Sequence, residues 1–350
     1  MISADRSIRE AIACIDQNAK GVVLVVDQHR RLIDTVTDGD IRRGILRGIS
    51  LDKPLSCLIG RDAESSVSKP VTALLGTERE ALLKLMHDRG VRQIPLLDEE
   101  NRVAGLVTLD ELFPSQILPL QAVVMAGGLG TRLRPLTEEV PKPMLPIGGR
   151  PLMEHLIQQL RDIGIRQVNV ATHYRPDKIR DHFGDGRDFG VNLNYVNEDS
   201  PLGTAGALGL MDGPREPLLV INGDILTQVD FRAMIAYHHE HRAEMTVAVR
   251  RYDVQVPYGV MECEGVNIRR VTEKPQLVFF VNAGIYLLDP PVYDFIPNGQ
   301  RFDMTDLIQC LLDAGRTVVS FPIREYWLDI GQHSDYVQAQ ADIKKGRMGA

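Results

Sequence analysis

V-M-A-G-G-L-G-T-R-L-R-P-L-T-E-E-V-P-K-P-M-L-P-I-G-G, residues 124–149, is the stretch that decides how this chain reads. Apolar residues 121–125 predict a short strand, which empties into Gly127, Gly128 and Gly130, two arginines, and a lysine bracketed by prolines. Three templates compete for it. A P-loop needs Lys-Ser/Thr after its last glycine, and Thr131-Arg132 stands there instead. A dinucleotide fingerprint needs a further glycine where Leu133 sits, and an acidic residue where Gly149 and its neighbours lie. The third template, G-G-x-G-T-R-L-x-P-L-T followed by P-K-P, fits throughout. A plain strand-to-helix turn does not account for so much positive charge. The loop therefore reads as a phosphate cradle.

Outward from the loop, strands and helices alternate. Residues 151–163 place Leu152, Leu156, Leu160 and Ile163 at helical spacing, with Gly164 as a C-cap. Residues 167–172, 218–222 and 243–250 read as strands. That alternation predicts an α/β domain with a Rossmann-like, mainly parallel sheet. Ligands of such sheets bind beyond the carboxyl ends of the strands, where the glycine loop falls.

The first 118 residues contain a repeat. Residues 7–15 align with 77–85, and 21–41 align without gaps with 92–112, pairing Asp27 with Asp98, Arg31 with Arg102 and Thr37 with Thr108. Each copy reads as helix, apolar strand, Asp-x-x-x-Arg turn, second strand and a capped helix. The order resembles the CBS domain, an α+β unit that occurs in tandem pairs. The expected division is 1–60 and 61–118 for the two copies and 119–350 for the transferase-like domain, with a proline-bearing linker over residues 113–119. The resemblance implies a purine nucleotide in the cleft of the pair. Thr37, Asp40, Thr108 and Glu111, at two helix starts, suit either that role or plain capping.

Composition narrows the classes. A net charge of −7 provides no basic field for nucleic acid, and no apolar run is long enough to cross a membrane. The four cysteines form no C-x-x-C pair, and the N-terminus lacks a signal-peptide pattern, so a cytoplasmic protein with free thiols is expected. His238, His239 and His241 read as an exposed helix face rather than a metal site.

Residues 122–151 resemble the signature of sugar-1-phosphate nucleotidyltransferases. Six further motifs appear in that family's order: L-G-T-A-G-A-L (202–208), N-G-D (222–224), Y-G-V (258–260), E-K-P (273–275), V-N-A-G-I-Y (281–286) and W-L-D-I-G (327–331). The resemblance implies attack of a sugar phosphate oxygen on the α-phosphorus of a nucleoside triphosphate, with loss of pyrophosphate. Such transfer needs positioning and neutralised charge more than a protein nucleophile. Ala126, Gly127, Gly128, Gly130 and Thr131 would bring backbone N–H groups to the nucleotide, and Arg132 and Lys142 would face its phosphates. Asp224 and Asp329, each after an apolar segment, would hold Mg²⁺. Arg134 stays outside this set.

Base choice falls near Glu198, Gly203 and Thr204. The segment E-D-S-P-L-G-T-A-G looks like guanylyl members, and a Glu198 carboxylate can accept two guanine N–H groups. Gly259, Glu273, Lys274, Asn282 and Gly284 would receive the sugar phosphate. Only nineteen residues follow Gly331, so no β-helix extension is expected. The tandem repeat ahead of a transferase resembles glucosamine-1-phosphate guanylyltransferases of legionaminic acid synthesis. Mannose 1-phosphate as acceptor, and a uridylyl or thymidylyl donor, remain alternatives. A homo-oligomer is expected, and the competing class is a nucleotide-sensing binding protein without catalysis.

Overall fold

The computed structural model describes residues 1–18, 20–59, 70–112 and 120–348. The expected boundary between the copies, at 60/61, and the 113–119 linker lie outside the described residues. The chain divides into two compact units, residues 1–116 and 117–350.

In the first unit the repeat is visible in hydrogen bonds. Val22–Val26 pairs antiparallel with Leu32–Thr37, and Gln93–Leu97 pairs with Val103–Thr108 in the matching register. The turns are copies: an Asp27 carboxylate oxygen accepts from the amides of His29 and Arg31, and Asp98 does the same for Glu100 and Arg102. Arg30 and Asn101, equivalent positions, both adopt the left-handed conformation these turns require. Helices Ile8–Asn18 and Arg79–Arg89 precede the strands, as their spacing predicts.

The second unit is built on a seven-stranded sheet. Its strand order is Asn192–Asn197, Gln167–Thr172, Gln121–Met125, Leu218–Asn222, Gln276–Leu288, Met245–Gln255 and Val318–Pro322. Only Gln276–Leu288 runs against its neighbours. The sheet is mainly parallel, as expected. Alternation sends Val124, Val170 and Ile221 into one apolar layer, with Leu156 and Leu160 of helix Leu152–Asp162. Val123 and Val220 enter the other, with Leu307 and Leu311 of helix Met304–Asp313. Burial on both faces explains why these strands read as apolar runs.

Two expectations need correction. The strand expected over 243–250 runs from Met245 to Gln255, because its polar-alternating end pairs with Gln276–Val281 beyond the sheet. The histidine segment is not simply an exposed face. In helix Phe231–Glu240, His238 is buried, with Nδ1 2.8 Å from the Thr246 hydroxyl and Nε2 3.0 Å from Asp289. The ring fixes the helix to the following strand by satisfying both its nitrogens inside the core. His239 is exposed, and His241 stacks on Tyr237.

Candidate active site

Strand Gln121–Met125 hands over to the glycine loop, and the Ala126 amide continues its pairing by donating to Ala171. At Gly127 a Cβ would come 2.6 Å from a Glu198 carboxylate oxygen, so a side chain there would push Glu198 from its place. The loop turns back through Thr137, whose hydroxyl donates to the Gly130 carbonyl at 2.7 Å. A short turn, Thr131–Leu133, then presents Arg132 to solvent and buries Leu133.

Leu133 belongs to a small apolar cluster with Leu145, Leu226 and Ile330. Each of these flanks a candidate catalytic residue in the chain: Arg132, Lys142, Asp224 and Asp329. One buried patch thus lies within three residues, along the chain, of four charged groups drawn from three separate stretches of sequence. The segment Ile225–Thr227 pairs antiparallel with Trp327–Asp329, and the Ile330 amide donates to the Asp224 carbonyl at 3.0 Å. This ladder sets the two aspartates side by side.

Lys142 lies between them and is only 8% exposed. Its Nζ is 2.5 Å from Asp224 Oδ2 and 3.9 Å from Asp329 Oδ1. Burial pushes the Asp329 carboxyl above the usual carboxylate range, and the Asp224 charge adds to that, against Lys142 and Arg132. Two carboxylates drawn together around one ammonium form a donor set of hard oxygens, half open to solvent. That suits a small divalent cation that also needs phosphate oxygens. Among the described residues no group of three or more His, Cys, Asp or Glu side chains is placed to hold a metal.

Glu198 is buried beside the loop. One carboxylate oxygen accepts from the Leu202 amide at 2.9 Å, the other abuts Gly127, and its main-chain oxygen lies 2.9 Å from His173 Nδ1. Desolvation raises its carboxyl above the ordinary range, opposed by the Leu202 amide and His173. Gly203 and Thr204 open the turn Gly203–Gly206. There the Thr204 amide donates to Asp303, and its hydroxyl accepts from the Met304 amide at 2.8 Å. Glu198 and Thr204 both tie this segment to the frame of the domain.

The acceptor candidates occupy a different setting. Gly259 and Glu273 are adjacent, since a Cβ on Gly259 would come 2.9 Å from the Glu273 carboxylate. Lys274 follows in a left-handed conformation, and Glu273 and Lys274 are exposed. Asn282 makes two internal bonds: its amide donates to the Tyr286 hydroxyl at 2.8 Å and its carbonyl accepts from the Gly284 amide at 2.9 Å. Gly284, at φ 69°, sits in a bulge opposite Val247 and Val249, close against Asn222.

Sequence reasoning missed Tyr286, His173 and Asn222. Burial, with the Asp224 charge adding to it, pushes the Tyr286 hydroxyl up to about 12 despite the Asn282 bond, so it stays a proton donor. His173 follows strand Gln167–Thr172 as Ala126 follows the first strand, a position that the strand-end rule could have flagged. The Asn222 carbonyl oxygen is buried without a hydrogen-bond partner next to Asp224.

Residues 121–346 match the model of the Nucleotidyl transferase family. The chain belongs to that family. A CBS domain model matches residues 65–115, within the second copy of the repeat. Over 231 residues the chain is 36% identical to the rice "Probable mannose-1-phosphate guanylyltransferase 1", covering 62% of this chain and 63% of that one. Identity to the mannose-1-phosphate guanylyltransferase of Mycobacterium tuberculosis is 34%, over 65% of each chain. The match thus spans just under two thirds of these relatives' length. Among solved structures, a Bacillus anthracis protein named as a candidate glucose-1-phosphate thymidylyltransferase, in complex with a sucrose, is 26% identical at TM-score 0.53, covering 63% of this chain and 94% of that one. HddC of Yersinia pseudotuberculosis complexed with GMP-PN is 25% identical at TM-score 0.50, covering 64% of this chain and 99% of that one.

Proposed function

We propose that this nucleotidyl transferase moves a nucleoside monophosphate from GTP to a sugar 1-phosphate, releasing pyrophosphate. The observation that carries the reading is the convergence of Arg132, Lys142, Asp224 and Asp329 on one apolar cluster at the carboxyl end of the sheet. All four groups that a binding protein could have lost are present. Lys142 stands ready to leave Asp224 for a phosphate oxygen, and Arg132 offers a planar fork of donors to the departing pyrophosphate. Asp224 and Asp329 are the residues that would hold Mg²⁺, which supplies charge neutralisation on the phosphates when bound. Glycine-loop amides orient the triphosphate so that the acceptor oxygen meets phosphorus in line.

The guanine choice draws support from the guanylyltransferase relatives and from the neighbour complexed with GMP-PN. Glu198, half of its carboxylate anchored by Leu202, is the residue proposed to accept from the base. The same relatives bring mannose 1-phosphate forward as the acceptor to test beside glucosamine 1-phosphate. The Bacillus anthracis neighbour keeps a thymidylyl donor as the second reading. Purified full chain with Mg²⁺, five triphosphates and a panel of sugar 1-phosphates, followed by pyrophosphate release, tests all of this. No release with any pair would return the chain to the binding-protein class.

A purine nucleotide or the product sugar nucleotide is proposed for the tandem repeat. Thr37 and Asp40 form a capping box, as Thr108 and Glu111 do, and Glu111 also pairs with Lys20 at 2.7 Å. Capping accounts for these bonds by itself, so binding is decided by calorimetry on the full chain at saturating GTP analogue, with Thr37→Val as the variant. A second equivalent of nucleotide in the wild type that Thr37→Val weakens about tenfold is expected. A single equivalent in both chains rejects the site. The proposal includes cytoplasmic location, and among the described residues no helix is long and apolar enough to cross a membrane.

A further inference from the structure

Strand Gln167–Thr172 lies beside the strand that feeds the glycine loop, and its carboxyl end continues as His173-Tyr174-Arg175. These residues reach across to the limb by which the loop returns. The Tyr174 hydroxyl donates to the Glu138 carbonyl at 2.9 Å and lies 3.3 Å from the Thr137 carbonyl. Arg175 Nε donates to that same hydroxyl at 3.3 Å, and Arg175 Nη2 lies 3.3 Å from the Glu139 carboxylate. Two adjacent side chains thus grip three consecutive residues, 137–139. The hydroxyl accepts from a cation while it donates to a carbonyl, an arrangement in which each bond strengthens the other.

The backbone is bent to allow this grip. Arg175 is left-handed, with φ 47° and ψ 55°, immediately before Pro176. A residue with a Cβ disfavours that region, and a following proline pushes its neighbour towards extended geometry. Such strain persists where surrounding contacts over-determine it. In an extended continuation Tyr174 and Arg175 would point to opposite sides, whereas the left-handed turn lets both meet one limb. What the limb carries is Arg132. Residues 130–137 close on themselves through the Thr137–Gly130 hydrogen bond, with Arg132 on the arc. Leu133 is fully buried, and the Arg134 carbonyl lies 2.8 Å from His333 Nε2. The Arg132 side chain is exposed, and among the described residues it makes no hydrogen bond or ion pair within the chain. Its place is therefore set by anchors on the arc itself, Leu133 and His333 on one side, Tyr174 and Arg175 on the other.

We propose that Tyr174 and Arg175 are positioning residues, a clamp that holds the returning limb so that Arg132 is aimed at the phosphates before substrate binds. The role given to Arg132 rests on the transfer reading above; the clamp rests on the bonds just described. The pair acts through Arg132 and not on the reacting atoms. A long guanidinium side chain loses rotamer freedom when it engages phosphate, and a wandering backbone beneath it would add to that cost. With the arm fixed beforehand, only the side chain remains to be ordered. Loosening the clamp should therefore lower kcat, because charge on the departing pyrophosphate grows in the transition state, and should leave KM for the sugar phosphate in place.

Two variants of the full chain, Tyr174→Phe and Arg175→Met, are the experiment, each checked by circular dichroism so that one folded variant is enough. Pyrophosphate release gives kcat for each, alone and combined with Arg132→Ala. A clamp variant is expected to lower kcat about tenfold when Arg132 is present and less than about twofold when it is absent, since the clamp then has nothing to aim. The second readout needs no turnover. Trypsin cuts after Arg132 only when Leu133 leaves its cluster, so brief digestion followed by peptide mass reports opening of the arm. Cleavage there, measured against cleavage after the exposed Arg301, should rise about fivefold or more in the clamp variant. Equal losses of kcat in both backgrounds would make the pair a general support of the domain and overturn the proposal, as would unchanged cleavage after Arg132. Full turnover by Arg132→Ala would overturn it together with the transfer role of that arginine. A slow Arg132→Ala beside clamp variants of wild-type kcat would overturn the clamp alone.

Discussion

The two halves of the proposed site are built to different standards. On the phosphate side Lys142 is nearly buried, Glu198 is held by its main-chain oxygen and one carboxylate oxygen, and one apolar cluster underlies all four charged groups. On the acceptor side Glu273 and Lys274 stand exposed between strands Asn267–Thr272 and Gln276–Leu288, and only Asn282 and Gly284 are tied into the sheet. The difference follows the chemistry. Charge developing on transferred phosphate is stabilised by groups fixed beforehand, since reorganisation at the moment of reaction costs rate. Sugar hydroxyls carry no such charge, and groups that recognise them can be ordered by the ligand itself.

The largest effects are therefore expected on the phosphate side. Asp224→Asn and Asp329→Asn should each lower kcat by about 10²–10³-fold, the scale of removing one electrostatic stabiliser. The fold should survive, because both groups lie at the edge of their cluster. Full pyrophosphate release from a folded double variant would mean that the two aspartates hold no metal and the phosphate half has been misplaced.

Much of this half was legible because its residues follow strands and sit within glycine- and proline-fixed loops. The Gln121–Met125 strand, the glycine loop and Asp224 needed only local pattern. The Lys142–Asp224 contact did not show itself, because it joins residues 82 apart through a shared cluster that no local period encodes. Asn282 read as a ligand group, yet its hydrogen bonds belong to a bulge set by the register against Val247 and Val249. His238 read as exposed because its helix is polar; its burial depends on Thr246 and Asp289, which come later in the chain. What local pattern hides is long-range pairing and the burial it brings.

Base selection gives the next effect. GTP should lead the other triphosphates by at least tenfold in kcat/KM, about 1.4 kcal/mol. Glu198→Gln should narrow that lead, since an amide presents a donor where guanine also presents donors. Because Glu198 also accepts from Leu202, the variant's ATP kinetics serve as the control for loop damage. A lead by UTP or dTTP would transfer the site to the second reading. An unchanged GTP preference in the variant would leave Glu198 as a brace between Gly127 and Leu202.

A milder change is expected across the site. Asn282→Ala frees the Tyr286 hydroxyl and the Gly284 amide together, so it should raise KM for the sugar phosphate about tenfold while KM for the nucleotide stays within twofold. Equal rises in both constants would show that the bulge supports the phosphate half as well, and the two-standard comparison would fail.

The smallest effect concerns stability rather than rate, and its sign is fixed by the raised Asp329 carboxyl. A carboxyl that holds its proton more tightly when folded favours the folded state at low pH and loses that contribution as pH rises through the folded value. At neutral pH ionised Asp329 is therefore a cost, arising from burial and from Asp224, that Lys142 and Arg132 only partly offset. Asp329→Asn removes the charge and should leave the ligand-free protein no less stable than wild type at neutral pH. The difference between the two should close as pH falls below the ordinary carboxylate range, where the wild-type group is neutral in both states. Because Asp329 is about half exposed, solvent screening keeps the difference small. Thermal melts of both chains across that window, without divalent cations, measure it. An Asn variant clearly less stable than wild type at neutral pH, and more so as pH rises, would mean that the ionised carboxylate stabilises the fold. The phosphate half would then owe its order to the Lys142 ion pairs rather than to the apolar cluster beneath them.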